Sequence, residues 1–440
     1  MKILFIWPNM DVFGYKPMGI SLLASILKRD GHEVELFDTT FIDLGARDYS
    51  KELTKHGYFK PVDYGVDTEK KKICLADELE AKVSSFKPDI IAISCLSDEV
   101  DISKQMITHL SDVSKGHIIV GNKGVEKIMR DVASPYVSFF IGESIVTLPQ
   151  AIKFGTYCSQ RVHYPHGYFK DLDSLPYLDW SMFDKRQFLK AYDGHVFKGG
   201  DHMIGWGCPN SCTYCINKHW RELHGGMSGC MRRYSVSRII DELIELTKKW
   251  DLEIFKFHDE DFLLKPMPYL KALSYQYADQ VGRPWSGMTN TKSVTEDRAD
   301  CLVEMNCLSM SVGVESGDEN IRNMLNRRET PEDIIRGIGI LKRHKIRVST
   351  FNMIGLPFDT EETILKTIEL NRRAEVEHPN ISFFMPLEGT DLYKISVDNG
   401  FYDPKENIEL RTDRPVLKLP GISAERLQYY HENFHRLVTQ

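Results

Sequence analysis

Short apolar runs alternate with amphipathic helical stretches along most of the chain, and no other feature constrains its architecture as strongly. Residues 3–7, 34–37, 89–94, 117–121 and 137–141 read as strands buried on both faces. Helical periodicity fills the intervals at 19–27, 78–86, 102–113 and 125–131, and Gly31 reads as the C-cap of the first helix. Such βα units predict a doubly wound, Rossmann-like parallel sheet that binds ligands at the carboxyl ends of its strands. A polar stretch spans 43–72, and the pattern breaks from 156 to 200, which reads as an extended linker. A second series follows. Its strands are expected at 202–206, 254–258, 285–289, 309–314, 347–354 and 381–385, with helices at 235–248, 268–281, 296–305, 330–344 and 360–374. Six units of this spacing predict a partial (β/α)6 barrel. The expected organisation is a Rossmann-like domain at 1–155, a linker at 156–200, the barrel at 201–395 and a helical extension at 396–440. In that extension Leu427, Tyr430, Phe434 and Leu437 share one packing face.

Composition narrows the function classes. The chain has 440 residues, 42% of them hydrophobic and 27% charged, as expected of two or three globular domains rather than a disordered chain. A net charge of −7 argues against a general nucleic-acid binder. No run of about 18 uncharged apolar residues exists to span a membrane, and the apolar start is too short for a signal peptide. A cytoplasmic monomer is expected, its nine cysteines being thiols or metal ligands rather than disulfides.

The strongest chemical signal is Gly207-Cys208-Pro209-Asn210-Ser211-Cys212-Thr213-Tyr214-Cys215, after the first expected strand of the second series. Three thiolates so close together can hold an iron–sulfur cube and leave one iron open. A structural zinc site wants four closed ligands, usually on paired arms. His219 is available as a fourth ligand, but the second arm is absent. Cys74, Cys95, Cys158, Cys230, Cys301 and Cys307 lack ligand spacing, and Arg232-Arg233 and Asn326-Arg327-Arg328 read as solvated faces.

Cys208, Cys212, Tyr214 and Cys215 match Cys-x-x-x-Cys-x-aromatic-Cys, and the chain here resembles the radical S-adenosylmethionine (SAM) superfamily. The resemblance implies a [4Fe-4S] cluster on Cys208, Cys212 and Cys215, with its open iron chelating SAM. It implies an external donor of flavodoxin or ferredoxin type, reductive release of a 5′-deoxyadenosyl radical, and Tyr214 beside the adenine. Phe257-His258-Asp259-Glu260-Asp261-Phe262 stands where the superfamily places polar residues facing SAM, although Asp259 and Asp261 read equally well as helix N-caps. Glu315, in Gly313-Val314-Glu315-Ser316, resembles the acid that contacts the bound nucleoside. A carboxylate inside an apolar strand needs a partner in any case. Gly355-Leu356-Pro357 and Pro386-Leu387-Glu388-Gly389-Thr390 end the last two strands.

The first half adds Pro17-Met18-Gly19 opening a helix, Ser94-Cys95-Leu96 after the third strand, Gly121-Asn122 after the fourth, and Ile141-Gly142-Glu143-Ser144 closing the series. With these turns nearly the whole chain resembles the cobalamin-binding radical SAM enzymes. The resemblance implies cobalamin contacts at Pro17, Met18, Gly19, Ser94, Leu96, Gly121, Gly142 and Glu143. Two departures stand out: no Asp-x-His-x-x-Gly follows the first strand, so no lower histidine ligand is offered there, and Asn122 replaces a second glycine. A dinucleotide-binding domain would want Gly-x-Gly-x-x-Gly after the first strand, and Trp7-Pro8-Asn9-Met10-Asp11 does not supply it. Cys74, Cys95 and Cys158 do not form the second cluster site of the related methylthiotransferases.

The expected function is methyl transfer to an unactivated carbon or phosphorus centre of a small, natural-product-like substrate. Methylcobalamin is implied as donor, and the oxygen-sensitive cluster implies an anaerobic setting. Cyclisation, oxidation or rearrangement with the same cofactors is the alternative, and a binding or redox module with a structural metal is a third reading. The substrate is not legible, although 401–440 is expected to help shape its pocket.

Overall fold

The computed structural model describes residues 1–10, 13–45, 54–58, 60–165, 167–405 and 414–440. Parts of the polar stretch and of segment 401–440 therefore lie outside the described residues. The chain divides into two compact units: the first comprises 1–48, 63–192 and 223–229, the second 49–62, 193–222 and 230–440.

The first unit is built on a parallel sheet of β1 (Lys2–Trp7), β2 (Glu33–Asp38), β3 (Ile90–Ser94), β4 (His117–Gly121), β5 (Val137–Phe140) and β6 (Val162–His163). Their order is β2-β1-β3-β4-β5-β6. It reverses between β1 and β3, the kind of point at which doubly wound sheets open a crevice for ligands. Ile3, Leu4, Ile6, Ile90, Ile91 and Ile93 are almost wholly buried, as strands covered on both faces must be. Helix Met18–Arg29 turns Ile20, Leu22, Ile26 and Leu27 inward. Gly31 follows its end at φ +87°, a conformation glycine adopts freely.

The segment expected as a linker is folded instead. β6 extends the sheet, and a turn at Lys185–Phe188 leads into β7 (Leu189–Tyr192); before the segment, helix Ser144–Phe154 carries Pro149 inside it. Gln187 explains this ordering. Its amide oxygen accepts from the backbone N–H of Gly14 at 3.0 Å, and its nitrogen donates to the Thr40 hydroxyl at 2.6 Å.

In the second unit six parallel strands run in the order β8 (His195–His202), β11 (Ile254–Phe257), β12 (Trp285–Thr289), β13 (Cys307–Glu315), β14 (Arg347–Ile354) and β15 (His378–Phe383). A short antiparallel pair, β9 (Gly205–Trp206) and β10 (Arg232–Arg233), stands apart. The first barrel strand ends at His202, whereas the apolar pattern predicts one beginning there. Gly199 and Gly200 lie inside this strand, and a side chain at Gly200 would meet the Phe255 ring at 2.8 Å, so strand packing requires the glycine. The last strand likewise starts and ends earlier than expected. Helices Val236–Trp250, Met267–Gln280, Glu296–Glu304, Pro331–Arg343 and Glu361–Arg373 connect the strands. The C-terminal helix Ala424–Thr439 buries Leu427, Tyr430 and Phe434 against Ile354, Ile381 and Phe383. Tyr58 joins this cluster, its hydroxyl donating to the His431 carbonyl at 2.7 Å.

Candidate cofactor site

β8 delivers the chain to Ile204 and Gly205, whose N–H groups donate to Oδ2 and Oδ1 of buried Asp259 at 2.9 and 2.8 Å. Lys265 pairs with the same carboxylate at 2.5 Å. Asp261 accepts from the Thr289 and Ser293 hydroxyls at 2.5 and 2.7 Å, and burial raises its pKa above the usual aspartate range. Neither aspartate caps a helix through its side chain. Both are held by protein groups and fix the strand ends on which the cysteine loop stands.

Gly207 starts that loop at φ +94°, and a side chain there would overlap the Cys230 carbonyl. Cys230, far away in sequence, places its sulfur 3.8 Å from the Cys208 carbonyl oxygen. From helix Ile216–Leu223, buried Arg221 donates to the Cys208 and Asn210 carbonyls, both at 2.9 Å, and to the Ser211 hydroxyl at 2.7 Å. The Asn326 amide donates to the Ser211 carbonyl at 2.8 Å, and the Thr213 hydroxyl donates to the Met324 carbonyl at 2.8 Å. The backbone between the thiols is thus clamped from two directions. Cys208, Cys212 and Cys215 are half-buried and form no disulfide. Burial pushes the Cys208 thiol up to about 12 and raises Cys212 as well. Iron binding would therefore have to displace their protons. Among the described residues no three His, Cys, Asp or Glu side chains converge on one metal ion. A cube needs one thiolate per iron, so its ligands need not meet at a point.

The Tyr214 hydroxyl donates to Glu315 Oε1 at 3.0 Å. Glu315 closes β13 in the left-handed region at φ +65°, and burial raises its pKa against the pull of Arg327. Arg327 reads as solvated in the sequence, but its side chain is only 11% exposed and lies 3.8 Å from Glu315. It pairs with Glu329 at 3.0 Å, donates to the Gly313 carbonyl at 2.6 Å, and its charge acts on Cys212. The structure thus brings Cys212, Tyr214, Glu315 and Arg327 into one network. An arginine between polar neighbours looks solvated in sequence, and the only hint of its place was the partner that Glu315 required.

At the strand ends of the first unit, Pro17 precedes helix Met18–Arg29, and Gly19 has open space where a side chain would stand. Ser94 and Asn122 are joined by a hydrogen bond of 3.1 Å from the Asn122 amide to the Ser94 hydroxyl. Asn122 adopts φ +77°, which asparagine tolerates. The tight packing is at Gly124, where a side chain would overlap the Leu96 carbonyl. Gly121 makes ordinary contacts. Gly142 lies against the His224 ring, 2.7 Å from where its side chain would begin, and Glu143 N–H donates to His224 Nε2 at 3.1 Å. His224 stacks on Tyr168 at 4.9 Å and had no signal in the sequence.

Leu96 N–H donates to buried Glu99 at 2.8 Å, and burial raises the Glu99 pKa to about 8. A carboxyl raised by folding binds more protons in the native state, so it lowers stability as pH climbs from the ordinary glutamate value through about 8. Thermal unfolding should show the native protein losing stability between pH 5 and 8. Glu99→Gln, which keeps an acceptor for Leu96, should flatten that slope.

The radical SAM superfamily profile matches residues 204–370. The chain carries a radical SAM domain. Relatives extend the likeness over both units. An uncharacterized methyltransferase of Pyrococcus horikoshii is 21% identical over 460 residues, covering 97% of this chain and 90% of the relative. The cytidylyl-2-hydroxyethylphosphonate methyltransferase of Streptomyces wedmorensis is 21% identical over 500 residues, covering 99% and 89%. The anaerobic magnesium-protoporphyrin IX monomethyl ester cyclase of Rubrivivax gelatinosus is 20% identical over 428 residues, covering 90% and 70%. Among solved structures, the radical SAM methyltransferase TsrM of Kitasatospora setae, with cobalamin and a [4Fe-4S] cluster bound, gives a TM-score of 0.60 at 14% identity, covering 98% of this chain and 85% of that one. The cobalamin-dependent radical enzyme OxsB gives 0.63 at 12%, covering 98% and 67%. The Rossmann-like sheet and the half-barrel that holds residues 204–370 thus follow the fold of the cobalamin-dependent radical SAM enzymes TsrM and OxsB. No described helix is long and apolar enough to cross a membrane.

Proposed function

We propose that the protein is a cobalamin-dependent radical SAM methyltransferase acting on an unactivated carbon or phosphorus centre of a small molecule. The observation that carries the radical part is the clamped loop of three half-buried thiols, set beside the network of Tyr214, Glu315 and Arg327. When bound, the cofactors supply a 5′-deoxyadenosyl radical and a methyl group. The chain supplies the holding and the charge. Cys208, Cys212 and Cys215 are the cluster ligands in this reading, and Arg221 keeps their loop in shape. Tyr214 and Glu315 hold the nucleoside, with Arg327 balancing the buried carboxylate. Asp259 and Asp261 serve the same site by fixing its strand ends. Pro17, Met18, Gly19, Ser94, Leu96, Gly121, Gly142 and Glu143 form the proposed corrin surface, where the strand ends flank the reversal between β1 and β3. Electrons come from a flavodoxin- or ferredoxin-type donor.

The methyl-transfer part is supported by two methyltransferase relatives aligned along nearly the whole chain. The cyclase relative, aligned over 90% of the chain, favours the second reading, radical chemistry without methyl transfer. The test is anaerobic reconstitution with iron, sulfide, cobalamin and SAM under dithionite. Four irons per chain, a corrin absorption band, and release of both 5′-deoxyadenosine and S-adenosylhomocysteine are expected. 5′-Deoxyadenosine alone would support the second reading, and one zinc with no corrin would end both.

A further inference from the structure

Helix Glu361–Arg373 covers one face of β14. Thr350 and Asn352 turn toward it: the Thr350 hydroxyl donates to Asn371 Oδ1 at 2.7 Å, and the Asn371 amide donates to Asn352 Oδ1 at 2.8 Å. Phe351, between them, therefore points to the opposite, concave face of the sheet. Parallel sheets bury their large apolar side chains, and a closed barrel packs its inner residues in layers. Phe351 departs from both rules. It is 41% exposed, and among the described residues of β11 to β15 it is the only exposed one. β14 has a partner strand on each side, so a sheet edge does not account for the exposure.

Strand register shows what surrounds the ring. Gly313 lies beside it on β13 and Asn380 on β15. The row before holds Ser311, Ser349 and His378. Along β14 the nearest apolar residue on this face is Met353, which packs against the cluster of Leu356, Phe384 and Leu392. No described ring stacks on Phe351. A side chain at Gly313 would overlap Glu315 Oε1 and meet the Arg327 guanidinium at 3.3 Å. The Glu315 carboxylate, to which Tyr214 donates, thus folds back into the row of Phe351, about one strand spacing of 4.8 Å away.

We propose that Phe351 is a specificity-determining contact whose ring receives a flat apolar group of the substrate, aromatic or conjugated, beside the cofactor network. An exposed apolar surface rimmed by polar groups on a concave face marks a ligand site. A flat group covers a phenyl face best, and the neighbouring serines and Asn380 offer hydrogen bonds to polar atoms at its rim. The nucleoside is assigned to Tyr214 and Glu315. Phe351 stands on the next strand, three residues inside its carboxyl end, so the substrate is its occupant. The role as a substrate contact rests on the enzymatic reading, while the binding itself is tested separately.

The probe is 1-anilinonaphthalene-8-sulfonate, whose fluorescence rises when its rings leave water. Titrated with the full-length protein, it should bind saturably. Phe351→Thr removes the ring and keeps a β-branched side chain suited to a strand. It should weaken the probe by roughly tenfold or more. The unfolding midpoint and the affinity of the reconstituted protein for SAM should stay as in the native protein. No saturable binding, or equal binding by the variant, overturns the proposal. Displacement of the probe by SAM would give the ring to the cofactor, and a lowered midpoint would make it a packing residue; either result also overturns it. Release of 5′-deoxyadenosine by the native protein is measured in parallel. Probe binding without that release would keep the apolar contact and refute the radical reading, whereas release without probe binding would do the reverse.

Discussion

Alanine at Cys208, Cys212 and Cys215 is expected to leave a folded, colourless protein that forms no 5′-deoxyadenosine. The loop does not depend on these side chains for its shape. Arg221 holds the Cys208 and Asn210 carbonyls, Asn326 holds Ser211, and Thr213 is tied to Met324. No disulfide is lost, because none of the three forms one. Circular dichroism should therefore match the native protein, and the unfolding midpoint before reconstitution should move little. What disappears is the donor set. A missing thiolate exposes an iron corner to solvent, and a site with two or fewer ligands does not retain a cube through gel filtration. Iron content, the visible charge-transfer absorption of the cluster and SAM cleavage should fall together, activity by about three orders of magnitude or more. Undiminished cleavage in the triple variant would remove the basis of the proposed function.

Arg327→Met should be the most damaging single change outside the thiols. The guanidinium is the cation beside Glu315, 3.8 Å away, and pairs with Glu329 at 3.0 Å, both of them buried. Removing one partner of a buried ion pair costs about 3–5 kcal/mol, because the remaining charge keeps its desolvation penalty. At about 2–4 °C per kcal/mol for a unit of this size, the unfolding midpoint should drop by roughly 6–20 °C. The pH dependence identifies the cause. Burial already raises the Glu315 pKa, and without Arg327 it rises further. Folding then favours the protonated acid, so the variant should approach native stability at acid pH and lose it as pH increases. Glu315→Gln added to Arg327→Met should restore part of the loss near neutral pH. Arg327→Lys should rescue less, since a point charge cannot reach Glu315, Glu329 and the Gly313 carbonyl together. A pH-independent deficit would mean that lost packing, not the stranded carboxylate, is responsible.

Both sheets are readable in the sequence because their strands are short apolar runs with helices between them. The first five strands of the first unit agree with expectation to within a residue or so, and β6 is not anticipated by the apolar pattern. The failures have local causes. β8 starts earlier than its pattern suggests because Gly199-Gly200 imitates a turn, whereas the ring of Phe255 requires that bare surface. Helix Ser144–Phe154 is masked in the sequence by Pro149, which sits within it. The segment 156–192 looks like a linker because the bonds that order it, such as those of Gln187 to Gly14 and Thr40, join residues more than a hundred positions apart. The cysteine loop is legible since its ligands are contiguous. Arg327, Arg221 and His224 are not, because burial of a charged or titratable side chain is set by distant parts of the chain that no local window contains.

The division of the chain into units has a consequence for anyone who would recombine it. The path passes from one unit to the other five times, after residues 48, 62, 192, 222 and 229. A fragment starting at 193 would discard Tyr58, whose ring fills part of the core beneath the C-terminal helix. One stopping at 192 would lose His224, on which the Gly142-Glu143 turn leans. Neither half is a cassette that can be excised with a single cut. Homologues should exchange these halves only when the two small crossing segments travel with them.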